Sequence, residues 1–278
     1  MRLNHNLASL DVFRAYSRTV EEQSVALDKI TSGYKVRNAK DDPNVIAQSE
    51  KTRIQIRGLQ MARRNAQDGV SLLQTAEGGI ESITSMIQRI RELTVQAGDA
   101  AMSDNDKEVL LNEVNQMLEA IDDTAKNTEF NKVKLLHTDI TREVPVGNRA
   151  GETVEIKFKD MSADKLGLKG TKGVVEEIKN GKIGNALKII DTALEGVLST
   201  RSEYGALENR FEDVMVNLDE ITFKMERADS NLRDSDIAEE MMIYVKDDIL
   251  IQSSMSIMHQ TNNFPMDVLK ILENVRGK

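Results

Sequence analysis

A chain of 278 residues with no cysteine, no tryptophan, three prolines and 4% aromatics lacks the bulky apolar material of a layered core, and long helices suit that composition better. The lack of cysteine excludes disulfides and thiolate metal sites, and His5, His137 and His259 stand too far apart to read as a ligand group, so neither metal nor cofactor is expected. With 30% charged residues and a formal net charge of −9, the chain is no electrostatic nucleic-acid binder; no apolar run reaches the roughly 20 residues that span a bilayer, and the first residues lack the apolar block of a cleaved signal.

Residues 1–32 carry Leu3, Leu7, Leu10, Phe13, Tyr16, Val20, Leu27 and Ile30 at mostly helical spacing, which predicts an amphipathic helix stopped at Ser32-Gly33. Asp42 then reads as an N-cap with Pro43 at the first helical position, where its missing N–H costs nothing. The helix so begun is predicted to run to Ala97, with Gly98 as its stop, a length of about 80 Å. Its defining feature is the stripe Leu73, Ala76, Ile80, Ile83, Ile87, Ile90, Thr94, Ala97, spaced alternately three and four, extended backwards by small residues at Gly69, Ala66 and Ala62 and then Leu59. Gly78-Gly79 is a candidate kink.

Ser103 and Asp106 resemble a capping box opening a third helix, whose apolar face, Leu110, Val114, Met117 and Ile121, predicts an antiparallel hairpin with the second. Residues 129–136 and 144–158 then alternate as strands do, with Val154, Ile156 and Phe158 on one face and turns at Gly147-Asn148 and Ala150-Gly151. The Gly- and Lys-rich stretch 162–184 reads as a surface excursion with at most a helical turn near Val174–Ile178. Helical periodicity returns from Asn185 to Leu232, with a second stripe of Leu207, Phe211, Val214, Leu218, Ile221, Met225, Ala228 and Leu232. Asp234 or Ser235 is predicted to cap a last helix with a seam of Ile237, Met241, Tyr244, Ile251, Met255 and Met258, into which Asp248 intrudes; it should end at Asn262-Asn263-Phe264-Pro265, before a final apolar turn of Val268, Leu269, Ile271 and Leu272.

The expected fold is therefore mainly α: a long antiparallel helical rod with a small β region, whose two end helices pair as a second coiled coil. Neither end helix has the apolar surface to be stable alone. Met241, Met242, Met255 and Met258 at helical spacing read as adaptable packing rather than a soft-metal site. Asp41-Asp42 sits at a cap and Asp247-Asp248 is expected on a solvated face, neither with a nearby histidine or Gly-rich loop, so no catalytic residue is assigned.

Several motifs in order carry a family resemblance. S-G-Y-K-V-R-N-A-K-D-D from Ser32 to Asp42, R-R-N-A-Q-D-G from Arg63 to Gly69, Q-R-I-R-E-L-T-V-Q from Gln88 to Gln96, T-E-F-N from Thr128 with K-L-L from Lys134, G-A-L-E-N-R from Gly205 to Arg210 and D-S-D-I-A-E-E from Asp234 to Glu240 together resemble bacterial flagellin. The resemblance implies a subunit that polymerises with itself into the flagellar filament and serves motility. Its terminal helices would form an inner tube (1–36 and 234–278), two segments an outer rod (37–137 and 185–233), and 138–184 a minimal variable region. Polymerisation is then expected to engage Leu3, Leu7, Leu10, Phe13, Leu27, Ile30, Ile237, Met241, Ile251, Met255, Met258, Leu269 and Leu272.

The same resemblance implies export through the flagellar type III apparatus without a cleaved signal, an extracellular location, a chaperone on the C-terminal helix, and filament-cap and hook-junction partners. Gln88, Arg89, Arg91, Glu92, Leu93 and Gln96, with Glu113 on the next helix, resemble a subunit-contact surface that a vertebrate Toll-like receptor also engages. The alternatives are a hook–filament junction protein, which caps rather than extends, and an intracellular coiled-coil adaptor. Two departures stand out: Lys132 replaces the glycine the family has after Asn131, and the chain continues past its Leu272 ending.

Overall fold

The computed structural model describes residues 6–99, 102–170 and 173–276, with side chains described as far as residue 271; Leu3 and the Leu272 side chain lie outside the described residues. Six helices and two small antiparallel hairpins follow one another: α1 (Leu7–Ser32), α2 (Pro43–Ala97), α3 (Asp104–Asn127), β1 (Glu129–Phe130), β2 (Val133–Lys134), β3 (Ile140–Pro145), β4 (Thr153–Phe158), α4 (Val174–Lys179), α5 (Ile183–Arg233) and α6 (Ile237–Arg276). The fold is mainly α, as the composition implies. Residues 55–224 form one compact unit and residues 1–54 with 225–278 a second.

In the first of these units the α2 stripe is the core. Leu73, Ala76, Ile80, Ile83, Ile87, Ile90 and Thr94 are fully buried, and Thr94 returns its hydroxyl to the Ile90 carbonyl at 2.7 Å, so its polarity is satisfied within the helix. Against the stripe pack Leu110, Val114, Leu118, Ile121 and Ala125 of α3, Val154, Ile156 and Phe158 of β4, and Ala186, Ile190, Val197, Tyr204 and Phe211 of α5. The small residues behind the stripe admit close neighbours: a β-carbon on Gly69 would sit 3.1 Å from the Phe211 ring. The helix assignment runs unbroken through Gly78-Gly79, and Gly79 instead marks a close approach. A β-carbon there would lie 2.7 Å from both Leu136 Cδ1 and Thr128 Oγ1, whereas Gly78 faces open space.

Three expectations are corrected here. Residues 162–184 are no surface excursion: Ala163, Leu168, Val174 and Ile178 are buried, and Asp122 of α3 accepts from the Ala163 N–H at 2.8 Å and from Lys169 Nζ at 3.0 Å. The strand expected from Val144 starts earlier, because Ile140–Pro145 pairs in register with Thr153–Phe158. Along α5 the stripe holds at Phe211, Leu218, Met225 and Leu232, but beyond Leu218 its alternate positions move by one residue, so that Thr222 and Asp229 are half-buried while Ile221 and Ala228 are exposed. Asp229 takes its place there through hydrogen bonds from Ser49 and Arg53, a polar contact that an apolar pattern does not mark. The β1–β2 turn places both Asn131 (φ 48°) and Lys132 (φ 65°) in the left-handed region, a turn type that favours glycine and that Lys132 occupies at a steric cost.

The second unit is organised by polar contacts. Gly33 (φ 73°) ends α1, and the chain then pairs back on the α5–α6 connection: Lys35 N–H donates to the Arg233 carbonyl at 2.6 Å and Ser235 N–H to the Gly33 carbonyl at 2.9 Å. Arg233, nearly buried, stacks its guanidinium 4.9 Å from the Tyr34 ring centre. Asp229 accepts from Ser49 Oγ at 2.5 Å and Arg53 Nε at 3.2 Å, which holds the Arg53 guanidinium above its ordinary pKa. Asp42 caps α2 as expected, accepting from the Asn44 and Val45 N–H groups. The cap of α6 is neither Asp234 nor Ser235 but Asp236, which accepts from Ala238 N–H at 2.9 Å. Nor does α6 end at Pro265, which lies inside a helix continuing to Arg276.

Two measurements test this packing. Gly78→Ala should stabilise the protein by about 0.5–1 kcal/mol through helix propensity, whereas Gly79→Ala should destabilise it by about 1–2 kcal/mol because overpacking against Leu136 and Thr128 exceeds that gain, both read by urea unfolding. Burial pushes the Tyr204 phenol up from 10.0 to about 12, so its contribution to stability is complete below pH 10 and is lost as pH rises from there towards 12. Ultraviolet titration of the four tyrosines should show one ionising last.

Candidate assembly surfaces

α1 and α6 pack against each other along a seam of alternating three and four spacing that takes in only part of each predicted apolar stripe. On α1 the shielded positions are Ser9, Val12, Tyr16, Thr19, Gln23, Ala26 and Ile30; on α6 they are Glu240, Tyr244, Asp247, Ile251, Ser254, Met258, Thr261, Pro265 and Val268. Small and polar side chains alternate there with bulkier ones. Of the residues expected to drive polymerisation, Ile30, Ile251 and Met258 sit half-buried in this seam. Leu7, Leu10, Phe13, Leu27, Ile237, Met241, Met255 and Leu269 are exposed, Leu7 to 68%. The predicted apolar stripes are thus divided between the seam and the outside.

The outward face is extensive. Met241, Met242, Val245, Ile249 and Leu250 line an apolar concavity on α6 beside Lys246, and Ile257, Phe264, Met266 and Ile271 continue the exposed apolar surface towards the C-terminus. Clustered exposed apolar residues such as Met241, Met242, Val245, Ile249 and Leu250 suit an interaction site. Within the seam Asp247, expected on a solvated face, is fully buried. Lys246 Nζ approaches Oδ1 to 3.2 Å, but neither carboxylate oxygen has an aligned hydrogen-bond donor among the described residues. Arg18, Glu21, Glu22 and Lys29 of α1 face it across a groove, and Lys29 Nζ instead bonds Glu240 Oε1 at 2.9 Å. A buried carboxylate without donors is costly, so this helix pair closes at the expense of stability.

The second surface lies on α2 and α3 in the other unit. Gln88, Arg89, Arg91, Glu92 and Gln96 are exposed, and Glu113 of α3 is half-buried beside them. Arg89 reaches Glu113 Oε1 from NH2 at 2.9 Å and from Nε at 3.2 Å, while NH1 takes Glu92 Oε2 at 3.0 Å. Glu113 first and Glu92 second thereby hold the guanidinium above its ordinary pKa. Arg91 turns to α5, with Nε 2.9 Å from Asp191 Oδ1. Leu93 does not join this surface, because it is 1% exposed and packs in the α2 core. Helical geometry forces that: Leu93 follows Ile90 by three residues and shares its face.

Residues 3–141 match the family described as the bacterial flagellin N-terminal helical region, and residues 187–272 the bacterial flagellin C-terminal helical region. The chain is 37% identical over 274 residues to a flagellin of Halalkalibacterium halodurans, spanning 98% of this chain and 100% of that one. This chain belongs to the bacterial flagellin family. A flagellin of Bacillus subtilis is 35% identical over 305 residues, with the same coverage of both chains. A solved structure described as a putative flagellar hook-associated protein from Vibrio parahaemolyticus aligns with a TM-score of 0.60 at 14% identity, covering 70% of this chain and all of that one. At that identity the likeness is one of fold alone, so the hook-associated alternative gains nothing from it.

This flagellin is accordingly a structural subunit of the bacterial flagellar filament that assembles with itself and serves motility. Among the described residues no helix is long and apolar enough to cross a membrane, and no group of three or more His, Asp or Glu could hold a metal ion.

Proposed function

We propose that the outward apolar faces of α1 and α6 are the polymerisation surface of this flagellin, and that covering them by neighbouring subunits completes the folding of the end helices. One observation supports the reading above others: the bulky apolar residues Leu7, Phe13, Met242, Ile249 and Phe264 stay exposed although α1 and α6 pack on each other. Head-to-tail contacts that do not close on themselves then extend as a helix. In this reading 1–36 and 234–278 build the inner tube, 37–137 and 185–233 the outer rod, and 138–184 the reduced variable segment. The boundaries after 36 and 233 fall beside the Tyr34–Asp234 bridge.

Export through the flagellar type III route without a cleaved signal suits a chain whose end helices gain their burial outside the cell, and a chaperone covering α6 would shield the apolar concavity until then. Filament cap and hook-junction proteins are the expected neighbours at the two ends of the polymer. The role is structural, with no catalytic step assigned. For the surface around Arg89 we favour subunit contact, with recognition by a vertebrate flagellin-sensing Toll-like receptor as a second use of the same exposed guanidinium.

Met242→Lys places a charge on the outer face, at a side chain that is 68% exposed. It should raise the critical concentration for seeded filament growth at least tenfold while leaving the helical circular dichroism of the monomer unchanged; growth like that of the wild type by negative-stain microscopy would refute the proposal. Removing residues 236–278 should abolish filaments yet leave unit 55–224 folded. For receptor recognition, Arg89→Ala should weaken binding of monomeric flagellin to a soluble receptor ectodomain, and equal binding would leave only the subunit-contact role.

A further inference from the structure

Proline inside α6 breaks a rule of helix construction, and the structure shows what repairs it. Pro265 has no N–H, so the Thr261 carbonyl, four residues earlier, loses its helical donor, and the proline ring crowds that same oxygen. Asn6 supplies the replacement: its Nδ2 donates to the Thr261 carbonyl at 2.9 Å from the other end of the sequence. The second atom of the same carboxamide is also used, since Asn6 Oδ1 accepts from the Ser9 N–H at 3.1 Å and caps α1. The two contacts fix the orientation of the amide, because a flipped group would set oxygen against the carbonyl and nitrogen against the N–H.

The seam this tie closes is poor at choosing its own alignment. Tyr244, Ile251 and Met258 recur every seven residues on α6, with Tyr16, Gln23 and Ile30 likewise on α1, so their knobs fit as well after a slip of one repeat, and Ser9, Thr19, Ala26, Ser254 and Thr261 between them add little discrimination. Asn6–Thr261 and Lys29–Glu240 tie its two ends. A polar contact that can be satisfied in one alignment only specifies register, the best attested use of buried polarity in helix pairs.

We infer that Asn6 is a positioning residue for assembly: by donating to the carbonyl that Pro265 leaves without a donor, it fixes α1 against α6 in the alignment that presents both outer faces to neighbouring subunits. This rests on the polymerisation surface proposed above. The prediction is a coupling between residues 6 and 265. Asn6→Ser keeps a cap-competent oxygen but is too short to reach Thr261, and Pro265→Ala restores the helical N–H to Thr261.

Measured on the full chain, Asn6→Ser should raise the critical concentration for seeded growth about fivefold, the scale of one hydrogen bond. In the Pro265→Ala background the same substitution should change it less than twofold. Equal effects in both backgrounds, or none in either, would overturn the inference while wild-type growth upheld the polymerisation surface. Amide hydrogen exchange of residues 7–12 in the monomer gives an assembly-independent readout. Asn6→Ser should speed exchange about fivefold when Pro265 is present and less than twofold in the Pro265→Ala background, and parallel acceleration in both backgrounds would refute the tie even if no variant polymerised.

Discussion

Two packed helices can cover only one seam of each other, and this geometric limit governs residues 1–54 and 225–278. α1 and α6 carry apolar residues on more than one face, yet the seam they share holds Ser9, Thr19, Gln23, Ala26, Ser254 and Thr261. Tyr16, Ile30, Tyr244, Ile251 and Met258 join them, but Leu7, Phe13, Met242, Ile249 and Phe264 are left outside. Each of these, about half exposed, forgoes roughly half of the ~1.5–3 kcal/mol that full burial of such a side chain supplies, and the buried Asp247 carboxylate subtracts further from the closed pair. The opposite holds in residues 55–224, where α3, α5 and the β3–β4 hairpin cover the α2 stripe and satisfy it within the chain. One unit covers its own apolar stripe, and in the proposed reading the other reaches full burial in the polymer.

That difference also explains what the sequence disclosed. The stripe from Leu73 to Ala97 was legible because large aliphatic residues at a constant spacing admit one reading, and the structure buries all of them. The caps at Asp42 and Ser103 were legible because a cap is a local rule, satisfied within three residues. The packing of 162–184 was not, since its buried residues are single Ala, Leu, Val and Ile positions among lysines and glycines, and only contact with Asp122 and the α2 core reveals their role. For α1 and α6 the hydrophobic rule that succeeded on α2 was less selective, because apolar residues lie on more than one face of each helix. Tyr16, Ile30, Tyr244, Ile251 and Met258 of the predicted stripes enter the shared seam, while Leu7, Leu10, Phe13, Ile237, Met241 and Met255 stay exposed, and periodicity alone does not separate the two sets.

The surface around Arg89 shows a different limit. The run from Gln88 to Gln96 reads as one motif, but a helix distributes nine residues around its whole circumference. Arg89 therefore turns to α3, Arg91 to α5 and Leu93 into the core. An incoming partner meets Gln88, Arg89, Glu92 and Gln96 with the Arg89 charge already compensated by Glu113 and Glu92, so it gains by adding to that network rather than by neutralising a lone cation. The role of Leu93 in any such contact is indirect, through the position of the helix backbone.

In the proposed polymer, polar and apolar groups in the terminal helices divide two tasks. The apolar outer faces would supply association free energy without direction, since burial of Met242 or Ile249 is nearly indifferent to a shift of one heptad. The polar ties at Asn6–Thr261 and Lys29–Glu240 supply direction and little net energy. An open-ended polymer needs both in separate places, because a misaligned subunit is copied as the template for the next one. Had Leu7, Phe13, Met242 and Phe264 also turned into the intramolecular seam, the outer face would have little to offer a neighbour. A proline inside α6 whose orphaned carbonyl is met by Asn6, the cap of α1, serves the same end, because the pairing of the two end helices then becomes a condition for α6 having that hydrogen bond satisfied.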